Sequence, residues 1–155
     1  MIKKAFLYDS PIGKVGIAEK DGAITNVFFG QTVTPGECSL EETPLLQEAA
    51  QQLNEYLAGT RIVFELPLQP EGTPFQRRCW DVLLTIPYGQ TRTYGEQATQ
   101  IGNPKASRAV GRANGQNPIA IFIPCHRVIG ANGSLTGFAG GIEIKKQLLM
   151  LEKKR

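Results

Sequence analysis

Along the first sixty-odd residues the apolar positions come in short bursts. KAFLYDS, GKVGIAE and AITNVFFG are separated by Ser10-Pro11-Ile12-Gly13 and by Lys20-Asp21-Gly22. Short apolar runs bounded by turn formers predict strands, and Asp21-Gly22 is a hairpin signal. The rhythm then lengthens. Leu45, Leu46, Ala49, Leu53, Tyr56 and Leu57 recur at helical spacing and predict a helix over 43–58, ended by Ala58-Gly59. Arg61–Leu66 reads as one more strand. The stretch ELPLQPEGT, residues 65–73, holds two prolines and a glycine and marks a boundary. The expected organisation is a scaffold domain over 1–66, a linker over 67–73 and a second domain over 74–155.

The second part is patterned as helices. Thr73 caps one, Pro74 suits its first position and Gln76 completes a capping box. Phe75, Cys79, Leu83 and Ile86 form its stripe, widened by Trp80 and Leu84, and Pro87-Tyr88-Gly89 closes it. Thr93 with Glu96 starts another helix that runs to Gln100. Gly102 breaks it, Asn103 caps the next and Pro104 opens it, a helix-turn-helix layout. In that next helix Ala106, Ala109, Val110 and Ala113 read as the inward face. Lys105, Arg108 and Arg112 cluster within about 60° on a separate strip. Gly111 narrows the helix, at about 1 kcal/mol of propensity. So slim a helix fits a nucleic-acid groove; a solvated basic face is the plain alternative. Ile119–Ile123 is a continuous apolar run, expected as a buried strand-like stretch that delivers Pro124 and Cys125. Residues 142–153 form a last helix with Ile144, Leu148 and Leu151 on one face.

Composition narrows the function. Of the 155 residues 41% are apolar and 20% charged, as in ordinary globular domains. No run of apolar residues is long enough for a membrane span, and no secretory signal follows Lys3 and Lys4. Cys38, Cys79 and Cys125 are odd in number and widely spaced, which fits a reducing, cytoplasmic compartment better than a disulfide framework. One histidine and no Cys-x-x-Cys leave little for a metal site, so none is expected. The net charge of +3 is unevenly split. Residues 1–70 carry 5 basic against 9 acidic side chains, and residues 71–155 carry 12 against 5. Only the second part attracts a polyanion.

The chemistry centres on IPCHRVIG, residues 123–130. A cysteine nucleophile needs its thiolate, and an ordinary thiol titrates near ~8.5. His126 and Arg127 are adjacent in sequence, but neighbours in an extended chain face opposite ways. Contact between Cys125 and His126 therefore needs a turn or a bridging water. The histidine also needs an orienting acid. Glu152, four residues beyond Leu148, points to the same helix face, where a carboxylate has to be paired; an exposed position at the helix end is the alternative. The loop GANGSLTGFAGG, residues 130–141, has five glycines and a single aromatic, Phe138, and suits a pocket wall. Cys79 reads as packing, and Cys38 has no activating neighbour.

FQRRCWDVLLTIPYGQTRTYGEQATQIG, NPKASRAVGRANGQNPI, IPCHRVIG and GSLTGFAGG follow one another in order. Together they resemble the methylated-DNA–protein-cysteine methyltransferases, the O6-alkylguanine-DNA alkyltransferases, closely over residues 73–152 and loosely before that. The resemblance implies an α/β fold: a small ribonuclease-H-like amino-terminal domain, then a mainly helical domain with a helix-turn-helix. It implies Cys125 as alkyl acceptor, His126 as base acting through a water, Glu152 as its orienting acid, Asn117 as stabiliser of the active turn and Tyr94 as the hydroxyl that assists guanine departure. Arg108 corresponds to the arginine that fills the gap of an extruded nucleotide. Thr93, Lys105, Ala109, Gly111, Arg112 and Ala113 fall on the DNA side, and Tyr94, Arg127, Val128, Phe138 and Ala139 in the substrate pocket. Phe138 stands where a tyrosine occurs in one form of the family, and Ala139 where some members have serine. The implied partner is double-stranded DNA carrying O6-alkylguanine, gripped through the minor groove by a monomer without a cofactor. A cysteine hydrolase and a non-enzymatic damage binder are the rival readings; many turnovers, or binding without a mass change, distinguish them.

Overall fold

The computed structural model describes residues 2–30 and 38–153. The chain divides into two compact units, Met1–Pro70 and Glu71–Arg155.

In the amino-terminal unit β1 (Lys3–Tyr8), β2 (Val15–Lys20), β3 (Ala23–Phe29) and β4 (Cys38–Leu40) form one sheet in the order β3-β2-β1-β4. β1 and β2, and β2 and β3, are antiparallel; β4 runs parallel to β1. Asp21 (φ 53°) and Gly22 (φ 81°) both take the left-handed conformation that a two-residue hairpin loop requires. Helix α1 (Pro44–Leu57) buries Leu46, Ala49, Ala50, Leu53 and Tyr56. Its cap Thr43 accepts from the Leu46 amide at 3.1 Å.

Two expectations change here. Strand β4 was hidden by its polar surroundings. Arg61–Leu66 does not join the sheet, because side chains take up its hydrogen bonds. Gln52 on α1 accepts from the Glu65 amide at 2.8 Å, and Arg61 donates to the Val63 carbonyl at 2.9 Å. Strand-like pairing comes later, as a single bridge from Leu68 to Ile24. The Pro67 carbonyl and the Gln69 amide each bond Ile24 at 2.8 Å, so residues 67–70 lie against β3 rather than in a linker.

The carboxy-terminal unit contains α2 (Pro74–Leu83), β5 (Arg92–Thr93), α3 (Tyr94–Gln100), α4 (Ser107–Gly115), β6 (Val128–Ile129) and α5 (Ile142–Lys153). The helix-turn-helix is α3 and α4. Thr73 and Thr93 each complete a capping box. Cys79, Trp80, Leu83, Ile86, Ala98, Val110, Ile119 and Leu148 are among the buried core residues.

Sequence and structure part company at four places in this unit. Helix α2 stops at Leu83, so Leu84 is exposed, while turn bonds still bring Ile86 into the core. Helix α4 begins at Ser107 rather than Pro104, because residues 103–106 close a turn in which the Ala106 amide bonds the Asn103 carbonyl. Its inward residues are Val110, Ala113 and Asn114, and Ala109 faces outward. Ile119–Ile123 is buried but forms consecutive turns, with Ile121 at φ 77°, and not a strand. On α5 the buried residues are Lys145, Leu148 and Glu152, whereas Ile144 and Leu151 are half-buried.

Candidate active site

Asn117 shapes the chain that leads to the cysteine. Its side-chain oxygen accepts from the Ile119 amide at 3.0 Å and its amide donates to the Ile123 carbonyl at 2.9 Å. These two bonds close the 117–123 turns and deliver Pro124. Residues Cys125–Arg127 then form one turn of 3-10 helix. That turn answers the adjacency problem, since Cys125 and His126 no longer alternate across an extended strand.

His126 is completely buried, and its Nε2 lies 2.7 Å from Glu152 Oε2. The carboxylate accepts this proton, which leaves Nδ1 as the basic nitrogen of the neutral ring. Burial holds the imidazole below its ordinary value, against the pull of Glu152, and so keeps it uncharged at neutral pH. Glu152 serves more than the histidine. Its Oε1 accepts from Arg127 Nε at 2.9 Å and from the Gly89 amide at 3.1 Å, and its Oε2 accepts from Arg127 Nη2 at 3.0 Å. The guanidinium also donates to the Ile86 carbonyl at 2.8 Å and lies over the Tyr88 ring. Arg127, expected in the pocket wall, is instead the counter-ion that holds the acid; a planar donor fork suits a buried carboxylate.

The thiol of Cys125 is buried, and desolvation pushes its pKa up to about 11. The Asn117 side chain and the Lys145 charge pull the other way. Lys145 is a residue that sequence reasoning missed. It is 1% exposed, and its ammonium donates to the Val128 carbonyl at 2.7 Å and to the Thr136 carbonyl at 2.8 Å. It thereby ties the glycine-rich loop to the segment that follows the cysteine. The signal was present: 145, 148 and 152 are spaced i, i+3, i+7, one helix face.

Tyr94 opens α3, and its hydroxyl donates to the same Thr136 carbonyl at 3.1 Å. Tyr94, Ser107, Arg108, Gly111, Thr136 and Gly137 line a cavity of about 370 Å³. A Cβ at Gly111 would meet the Tyr94 ring at 3.6 Å, so glycine lets α4 lie close beside it. Phe138 is buried and meets the His126 ring edge-on, with centroids 6.5 Å apart. Val128 is buried, and Ala139 is exposed on the loop.

Of the residues expected on a DNA face, Arg108, Ala109 and Arg112 are exposed on α4, and Lys105 is exposed in the turn before it. Gly111 is half-buried. Thr93 spends its hydroxyl on the Glu96 amide as a helix cap. Ala113 is a correction: it is buried, and its carbonyl accepts from the Trp80 indole at 2.9 Å. Among the described residues no cluster of His, Cys, Asp and Glu is arranged to hold a metal ion, and no helix is long and apolar enough to cross a membrane.

Residues 74–154 match the family model of the 6-O-methylguanine DNA methyltransferase DNA-binding domain, and residues 4–70 match that of its ribonuclease-like domain. The chain belongs to the methylated-DNA–protein-cysteine methyltransferase family. A Methanosarcina acetivorans member is 50% identical over 149 residues, covering 94% of this chain and 96% of that protein. The constitutive Bacillus subtilis member is 49% identical over 152 residues, covering 94% and 92%. The Mycobacterium tuberculosis enzyme crystallised in complex with DNA superposes with a TM-score of 0.90 at 49% identity, covering 97% of this chain and 93% of that one. The α/β architecture is thus the family's ribonuclease-H-like domain followed by a helical domain with a helix-turn-helix. The reaction is likewise the family's, direct reversal of damage by moving the alkyl group of O6-alkylguanine to a cysteine of the protein itself, which spends the molecule. Double-stranded DNA is the partner of such a domain.

Proposed function

We propose that Cys125 is the acceptor, with His126 as its base and Glu152 as the acid that orients the base. The observation that carries this is the 2.7 Å bond between two buried groups, Glu152 on α5 and His126 on the same tight turn as the thiol. At neutral pH the resting cysteine is a thiol, so a base is required. His126 is held neutral and receives the proton, relayed by a water; Glu152 then stabilises the imidazolium. The sulfur attacks the alkyl carbon as the bond from that carbon to O6 breaks, and the electron pair leaves with guanine. The Tyr94 hydroxyl supplies the proton that guanine takes up and is reprotonated from solvent, to which the imidazolium gives up its own proton, and Lys145 favours negative charge on the sulfur. The product is a thioether, which water does not cleave, so each molecule acts once.

The target carbon is out of reach inside a stacked duplex, so the nucleotide is flipped into the cavity beside Tyr94 at a cost of a few kcal/mol. Arg108, exposed on α4, fills the gap. Approach is through the minor groove, where A·T and T·A look alike, and this suits a search for damage in any sequence. Phosphate contacts to Arg112 and Lys105 make the affinity salt-dependent. The protein works as a monomer in the cytoplasm, where thiols stay reduced.

The test is intact-protein mass after incubation with a duplex carrying one O6-methylguanine. Expected is a gain of one methylene, mapped to Cys125, that stops at one equivalent and is absent from Cys125→Ala. Repeated turnover on esters or amides would make it a hydrolase; tight lesion binding without a mass gain would make it a damage sensor.

A further inference from the structure

The three helices α2, α3 and α4 are tied at one level by polar bonds that the reaction does not use. Gln97 on α3 and Asn114 on α4 are 0% and 2% exposed. Their amides bond reciprocally, Gln97 Nε2 to Asn114 Oδ1 at 3.0 Å and Asn114 Nδ2 to Gln97 Oε1 at 2.7 Å. Gln97 Nε2 also donates to the Cys79 carbonyl on α2 at 3.1 Å. One residue before Asn114, the Ala113 carbonyl takes the Trp80 indole proton at 2.9 Å. The bonds run from α2 to α3, to α4 and back to α2.

An apolar pair would fill the same space without losing hydration, so the amides are a costly way to fill it. What they add is direction. The other buried residues of α4 are Val110 and Ala113, small side chains whose apolar packing is non-directional. A reciprocal amide pair fits in one register only, since a shift of one residue along α4 swings Asn114 round by about 100°. Arg108 and Arg112 ride on the exposed side of that same helix.

We propose that Gln97 and Asn114 are a positioning pair for work on duplex DNA: they set the rotation of α4 on α3 and so aim Arg108. The proposal rests on the reading of Arg108 given above. The thiol, its base and its acid are held by other bonds, those of Asn117, Lys145 and Glu152, while α4 lends Ser107, Arg108 and Gly111 to the cavity beside Tyr94. The pair therefore acts on engagement of the duplex more than on the reaction of a base already in the cavity.

The test compares two double variants of the full chain, Gln97→Met/Asn114→Leu, which keeps volume without the bonds, and the swapped Gln97→Asn/Asn114→Gln, which keeps an amide pair. Single-turnover transfer is measured from O6-methylguanine in a duplex and from the free O6-methylguanine base, with the near-ultraviolet signal of Trp80 reporting the fold. Expected is a folded apolar variant with a duplex rate lowered about tenfold, the scale on which residues away from a ligand change coupling, and a free-base rate lowered clearly less. The swapped variant recovers most of the duplex rate. The proposal is overturned by a wild-type duplex rate in the apolar variant, by equal losses on both substrates, by a folded swapped variant that recovers nothing, or by an apolar variant that does not fold, which would give the pair a purely structural role. Absence of transfer from either substrate by the unaltered chain is a different failure, that of the functional reading itself.

Discussion

Glu152→Gln keeps the shape of the acid and changes its hydrogen-bonding capacity, so its effect can be worked from the four bonds that the carboxylate accepts. Two come to Oε1, from Arg127 Nε and the Gly89 amide, and two to Oε2, from His126 and Arg127 Nη2. If the glutamine oxygen takes the Oε1 place, its NH2 group faces two donors. Arg127 keeps its charge and loses its counter-ion, and breaking a buried pair in this way costs about 3–5 kcal/mol. In a domain of this size that lowers the thermal midpoint by more than about 10 °C. His126 escapes the clash by moving its proton to Nδ1, so that Nε2 accepts from the new amide. The nitrogen meant to act as base is then protonated in the neutral ring. Loss of a positioned base lowers a rate by a factor of roughly 10²–10⁴. The assays are calorimetry, single-turnover transfer measured well below the variant's own midpoint, and nitrogen NMR of the imidazole. The chain has one histidine, so its tautomer is read without assignment. Expected are an Nε2–H ring in the parent and an Nδ1–H ring in the variant, together with the drop in rate. A destabilised variant that still transfers at the parent rate would show Glu152 to be an anchor for Arg127 alone. An unshifted tautomer would refute the account of the base.

The remaining predictions concern the thiol, the buried lysine and the exposed arginine. Because Cys125 is raised to about 11, its capture by iodoacetamide should be slow at neutral pH and climb as pH rises toward that value, whereas half-exposed Cys38 reacts earlier; peptide mapping separates the two, and early capture of Cys125 would contradict the burial argument. The same shift has a stability consequence. The unfolded chain gives up this proton from about 8.5 upward and the folded chain only near 11, so stability is lost as pH rises between the two, and Cys125→Ser should flatten that part of a urea-midpoint profile. Lys145→Met takes the ammonium from the buried Val128 carbonyl, whereas Tyr94 still donates to Thr136, and should cost about 1–3 kcal/mol, one unsatisfied buried acceptor; a denaturation curve matching the parent's would remove its tethering role. Arg108→Ala should slow transfer from duplex DNA more than from the free modified base, and equal losses on both would remove its role in filling the gap.

Legibility in the sequence followed periodicity. The capping boxes at Thr73 and Thr93 and the Asp21-Gly22 hairpin were readable because each is a local pattern with one geometric outcome; the spacing of Glu152 to Leu148 left an exposed helix end open, and the structure decides for the inward position. Misreadings came where a non-local bond outweighed a local pattern. Arg61–Leu66 has strand composition, yet Gln52 and its own Arg61 occupy its hydrogen bonds. Ile119–Ile123 is apolar throughout, which says buried and nothing more; the two Asn117 bonds make it turn. Lys145 and Asn114 were passed over because a charged or amide side chain on a helix is taken as solvent-facing by default, although the spacing to Leu148 and Val110 placed both inward. Arg127 was placed in the pocket by the family resemblance, and only its partners reveal that it serves the acid.

A protein that spends itself in one reaction has to keep its acceptor from being spent on anything else. With Cys125 as acceptor and His126 as base, as proposed, the site does this with the same groups that run the chemistry. Burial raises Cys125, which keeps the sulfur protonated and poorly nucleophilic at rest. Burial also lowers His126, which keeps the base uncharged and ready. The two shifts oppose proton transfer from sulfur to nitrogen in the resting protein. Transfer becomes favourable only when the charge made on the imidazole meets Glu152 and the charge made on sulfur is consumed by attack on an alkyl carbon. An activated guanine in the pocket supplies that second condition, and a passing weak electrophile outside a 3% exposed cysteine does not. Selectivity for a seated lesion thus follows from desolvation of the nucleophile and base together.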